Sequence, residues 1–231
     1  MNSKENQLQQ MLTRLRTKLL VMSASVEIAV EEACAALIEG NVGRATAVVD
    51  GDAAINNMEN EIDDLALALL ARNQPVAQDL RFVVASLRMV IDLERIGDEA
   101  SSIAERTLIL HTKLPPTVMD TVSQLMHSAT TLYKNSIESF RSQDAQQALK
   151  LCRNDDADIT QQEVMALQSL MDYLHAIPEK SGGLEQSFAG MHGILICRAL
   201  SRICRRATNI AEHTYFIVKG VNIKHKKASC L

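Results

Sequence analysis

Aromatic residues make up only 3% of this chain, and tryptophan is absent. Any core must therefore be built from Leu, Ile, Val, Ala and Met, a set that suits helix packing better than sheets, which favour aromatic and β-branched residues. Proline is nearly missing as well. Pro75, Pro115, Pro116 and Pro178 are the four, and each falls where the hydrophobic periodicity breaks. The five cysteines are odd in number and include no Cys-x-x-Cys pair, which argues against a disulfide framework and against a thiolate zinc site. Cys197 and Cys204, seven apart on one helical face, read as small core residues. Reduced thiols and a cytoplasmic location are the expectation. No run approaches the ~18 apolar residues that a membrane span requires, and the chain is polar through Gln10, so no secretory leader is expected. The net charge of −4 weighs against nucleic acid as a partner. The basic cluster Lys224-His225-Lys226-Lys227 reads as a solvated tail. A Gly-x-x-x-x-Gly-Lys phosphate loop is lacking, and so is a nucleophile, base and orienter in any recognisable arrangement. No Glu is followed three residues later by His, which argues against a ferritin-like di-iron oxidase. The reading is of a non-catalytic protein.

Hydrophobic residues, at 47%, recur with helical spacing over long stretches. Leu8, Leu12, Leu15, Leu19, Met22, Val26, Ala29, Ala33 and Leu37 follow one another at intervals of three and four. Helices are predicted at about 5–39, 43–72, 75–110, 117–141, 144–176 and 185–219. Gly40, Leu114-Pro115-Pro116, Gly182 and Gly220 serve as breaks. Pro75 is placed in the first turn of the third helix. Helices of ~30 residues span ~45 Å and, joined by short turns, must lie antiparallel. The predicted fold class is all-α, with two tandem three-helix bundles at 1–113 and 114–231.

The two halves also match residue by residue. The run from Leu93 to Glu105 repeats Leu, Arg, Ile, Ala, Ile, Ala and Glu at a constant offset in the run from Leu200 to Glu212. Asp52, Ile55 and Glu59 correspond to Asp156, Ile159 and Glu163. This is an internal duplication.

Chemistry is suggested by a lane of acids. At about 100° per residue, Glu94, Asp98, Ser101 and Glu105 share one stripe of the third helix. That stripe is apolar further back, at Leu80, Val83, Leu87 and Val90. Arg81, Arg88, Asp92, Arg95, Glu99 and Arg106 gather on a different face, read as facing water. In an antiparallel pair, Asp52 lies about as far before the turn near residue 74 as Glu94 and Asp98 lie after it. The three carboxylates should therefore stand at one height, where hard or borderline cations take oxygen ligands. Like charges so close are costly without a cation or proton between them. The alternative is plain pairing of these acids with Arg and Lys at a helix edge. In the second half Ser201 and Arg205 replace Glu94 and Asp98, so at most one metal site is expected, in the first half. Arg205 could pair with Asp156 there.

The stretch from Gln74 to Arg81, followed by Asp92-Leu93-Glu94-Arg95-Ile96-Gly97-Asp98, resembles the signature of the PhoU family. So does the late run Ala207-Thr208-Asn209-Ile210-Ala211-Glu212 with Val218-Lys219-Gly220. The resemblance covers nearly the whole chain. It implies two three-helix bundles, a homodimer, and a cytoplasmic negative regulator of phosphate uptake and phosphate-starvation signalling. It further implies an adaptor between the phosphate transporter's ATPase subunit and a sensor histidine kinase. Some members bind iron or zinc through Glu/Asp-x-x-x-Asp, which only Glu94 and Asp98 match here; Asp52 is added from helix geometry. Asp79, Arg81, Arg95 and Glu105 match the family's motifs as structural or interaction residues, and Asp79 also suits a helix start. Two other readings are a metal-binding bundle that regulates a different transporter or kinase, and a metal-dependent enzyme.

Overall fold

The periodicity of the sequence becomes six long helices in a computed structural model that describes residues 3–110, 113–177 and 183–223. Side chains within these ranges are described except at 3–5 and 154–157. The helices are α1 (Ser3–Glu39), α2 (Val42–Asn73), α3 (Ala77–Ile109), α4 (Pro116–Ser142), α5 (Ala145–His175) and α6 (Gly183–Lys219). The described residues contain no strand. No helix among them is long and apolar enough to cross a membrane.

Local chemistry sets the boundaries. Gly40 takes a left-handed φ of 66° that ends α1. Asn41 then caps α2, its side chain accepting from the Arg44 amide at 3.1 Å. Asp144 caps α5 by accepting from the amides of Gln146 and Gln147. Pro116 occupies the first turn of α4, where its missing N–H costs nothing. Pro75 departs from expectation. It lies before α3, whose cap is Val76, and both Gln74 and Ala77 around it adopt positive φ. The breaks predicted at Pro178 and Gly182 and the basic cluster after Ile223 lie outside the described residues.

The helices α1, α2 and α3 pack on one another, as do α4, α5 and α6. Between these triplets the broad contact is α3 on α6, with a narrower one of α1 on α4. The apolar stripe of α2 is buried at Val48, Ile55, Ile62, Ala66 and Leu69. Leu80 departs from its stripe and is 40% exposed. Cys34, Cys197 and Cys204 are buried and in no disulfide, and burial pushes the thiols of Cys34 and Cys197 up to about 12. Across the narrow seam, the buried Tyr133 hydroxyl of α4 donates to the Ser23 carbonyl of α1 at 2.7 Å.

Candidate functional site

Glu94 and Asp98 stand one turn apart on α3, and Asp52 and Glu59 face them from α2, with Asp63 one turn beyond Glu59; all are half-buried. Their electrostatics show how close they are. Burial, then the charges of Asp98 and Glu59, push the Glu94 carboxyl up to about 7. Arg95, whose Nε lies 3.5 Å from Glu94, offsets only part of this. Asp98 is raised by burial and then by the charge of Asp52. The hydrogen bond between Glu94 and Asp98 raises the first and lowers the second. Glu59 is raised by burial and by Asp63 and Asp98. Asp52 accepts from Asn56 at 3.2 Å through Oδ2, while its buried Oδ1 has no partner.

Through their charges Asp52 bears on Asp98, and Asp98 on Glu94. Among the described residues, however, no three His, Cys, Asp or Glu side chains are arranged to hold a metal ion. The oxygen donors and the unpartnered Oδ1 of Asp52 suit a hard cation in kind. In the second half, Ser201 is buried with an unpartnered hydroxyl and Arg205 is exposed. The Asp156 side chain, and with it the pairing suggested for Arg205, lies outside the described residues.

One expectation is overturned. The face of α3 carrying Asp92 and Glu99 does not look into water but onto α6. Asp92 is 5% exposed. Its Oδ1 accepts from Arg206 Nη1 and Asn209 Nδ2, both at 3.1 Å, and its Oδ2 lies 3.2 Å from His213 Nε2. Burial works to raise this carboxyl, but hydrogen bonds from His213, Asn209 and Arg206 and the charge of His213 bring it below its ordinary value. One layer along, Arg202 grips Glu99 through both oxygens at 2.5 and 2.6 Å. The helices run antiparallel here, since Glu99 meets the earlier residue of α6. A signal was present: Asp92 and Glu99 are seven apart on α3, and Arg202, Arg206, Asn209 and His213 recur at helical spacing on α6. Reading α3 and α6 as partners would have paired the two lanes.

The family-motif residues separate by position. Asp79 is half-buried in the first turn of α3. Arg81 donates from Nε to the Ile217 carbonyl at 3.4 Å and lies against Gly220, tying the start of α3 to the end of α6. Arg95 is exposed beside Glu94, and Glu105 is exposed.

Against known proteins, the family pattern described as the PhoU domain matches twice, at residues 19–107 and 122–214. The chain is 34% identical over 215 residues to a phosphate-specific transport system accessory protein PhoU homolog of Pseudomonas putida, covering 93% of this chain and 81% of the relative. The corresponding Escherichia coli K12 protein is 27% identical, over 93% of this chain and 86% of its own length. Among solved structures, PhoU from Pseudomonas aeruginosa superposes with a TM-score of 0.84 at 33% identity, over 92% of this chain and 99% of that one.

Proposed function

Since the chain belongs to the PhoU family, we propose that it is a non-catalytic regulator of phosphate uptake and phosphate-starvation signalling. In this reading it acts in the cytoplasm as a homodimer and connects the phosphate transporter's ATPase subunit to a sensor histidine kinase. Its two halves, 1–113 and 114–231, are three-helix repeats descended from one duplicated unit. The observation that carries the reading is the double family match together with relatives named as accessory proteins of phosphate-specific transport. The architecture supports it. Long helices joined through the Asp92 and Glu99 contacts offer broad, continuous faces of the kind that partner helices and loops bind. Affinity purification of the tagged full chain from phosphate-replete cells should recover the transporter ATPase and the kinase. Recovery of neither, with a known complex recovered in parallel, would sink the adaptor reading.

Within that role, Glu94 and Asp98, with Asp52 beside them, are our candidates for one cation, iron or zinc, in the first repeat. The cation would neutralise carboxylates whose like charges raise one another. Metal content per chain should fall in the Glu94→Ala/Asp98→Ala variant relative to the native protein. Equal content would remove the site.

A further inference from the structure

At the end of the molecule opposite the α1–α2 turn lies a cavity of about 290 Å³ between the triplets. Its walls include Thr13 and Arg16 of α1, Gln78, Asp79 and Phe82 of α3, and Gln143 at the α4–α5 turn. Arg16 is the notable member. Its guanidinium carbon lies 4.9 Å from the centroid of Phe82 and 5.5 Å from that of Phe140. The two rings are parallel within 8° and themselves buried. Aromatic faces hold a guanidinium in position without neutralising it. Gln143, with its amide turned so that the oxygen faces Arg16, accepts from both terminal nitrogens. Gln143 is itself fixed by a left-handed φ of 56° at the end of α4. A neutral amide does not compensate the charge of Arg16, and it engages two of the five N–H donors of the guanidinium. Burial lowers its pKa, and no carboxylate among the described residues is ion-paired with it.

The cavity therefore combines a positioned cation, an acid in Asp79, and amide and hydroxyl groups from Gln78 and Thr13. A fully ionised anion such as sulfate would pair with Arg16 but would face Asp79 with a lone pair against a carboxylate. An oxyanion that keeps a proton resolves the conflict: ionised oxygens accept from Arg16 and the amides, and its O–H donates to Asp79. At neutral pH hydrogen phosphate has that proton and sulfate does not. A simple carboxylate has too few oxygens for these walls and no proton either. We infer that this cavity is a binding site for inorganic hydrogen phosphate, with Arg16 as its anion clamp and Asp79 as the acceptor that selects for the proton. The site lies roughly 22 Å along α3 from Glu94, at 1.5 Å per residue.

Isothermal titration of the full-length protein with inorganic phosphate, glycerol 3-phosphate, sulfate and glycine tests this. Inorganic phosphate should bind, whereas glycerol 3-phosphate, whose group has largely lost its last proton at neutral pH, should behave like sulfate. Sulfate should bind at least about tenfold more weakly, the value of one hydrogen bond to a charged group. Arg16→Gln should weaken phosphate by about tenfold or more, and Asp79→Asn should bring sulfate close to phosphate. The inference is overturned if inorganic phosphate does not bind, if sulfate or glycerol 3-phosphate binds as well as phosphate to the wild type, if glycine binds in its place, or if folded Arg16→Gln retains full affinity. Should Arg16→Gln not fold by circular dichroism, Asp79→Asn decides alone: unchanged discrimination against sulfate overturns the assignment. None of these outcomes touches the adaptor reading, which rests on the partners recovered from cells.

Discussion

At the level of single residues, Glu94 and Asp92 sit two positions apart on α3 yet titrate in opposite senses. Glu94 is raised from 4.5 to about 7 in the fold, so the folded chain holds its proton more tightly than the unfolded one. Its contribution to stability is complete below 4.5 and is lost as pH rises through about 7. Glu59, Asp63 and Asp98, also raised, add the same sign. Asp92 is lowered from 3.8; its contribution is complete above that value and is lost as pH falls through its lower folded value. Urea midpoints of the native protein should therefore decline as pH rises across the window from 4.5 to about 7. Glu94→Gln should flatten that decline and be the more stable protein above it. A Glu94→Gln profile parallel to the wild type would mean that the carboxyl is not held protonated by its neighbours.

At the level of helices, close approach depends on residues with no side chain at the contact. A Cβ on Gly193 would come within 2.6 Å of Leu170 Cδ2, and Leu170 is fully buried. Gly193→Ala should therefore force α5 and α6 apart or Leu170 off its rotamer, at about 1–2 kcal/mol, seen as a lower urea midpoint with unchanged far-UV circular dichroism. On the other pair, Gly97 lies opposite Ile55, where a Cβ would stand 3.2 Å from two of its carbons. That contact brings the α2 and α3 acids to one level. Helix positions were legible because the 3.6-residue period of Leu15, Leu19, Met22 and Val26 is uninterrupted. The turn around Pro75 was not, because two left-handed non-glycine residues, Gln74 and Ala77, carry no composition signal. The height of Asp52 relative to Glu94 and Asp98 was legible from turn length alone. The face of Asp92 was not, since a charged lane reads as solvated until its partner helix is known, and its partners on α6 lie more than a hundred residues downstream.

At the level of the whole molecule, the triplets are joined by a broad contact of α3 with α6, which carries Asp92 and Glu99, and a narrow one of α1 with α4, which carries the Tyr133–Ser23 hydrogen bond. Asp92→Ala leaves Arg206, Asn209 and the buried His213 without their shared acceptor. It should cost about 2–3 kcal/mol in urea denaturation. Arg141→Ala, which removes an exposed contact with Glu138 within one helix, should change nothing measurable. Equal effects of the two would mean that the seam contributes no more than a surface ion pair. The antiparallel course of the six helices also decides where the molecule can be handled. Gln9 near the beginning of α1 and Ile217 near the finish of α6 border the same cavity, whereas Lys113 reaches the Glu39 carbonyl at the far pole. A reporter attached after Val221 would crowd the Arg16 pole, while one inserted at Asn41 would leave it clear, so the two placements separate effects at either pole without altering a single buried residue.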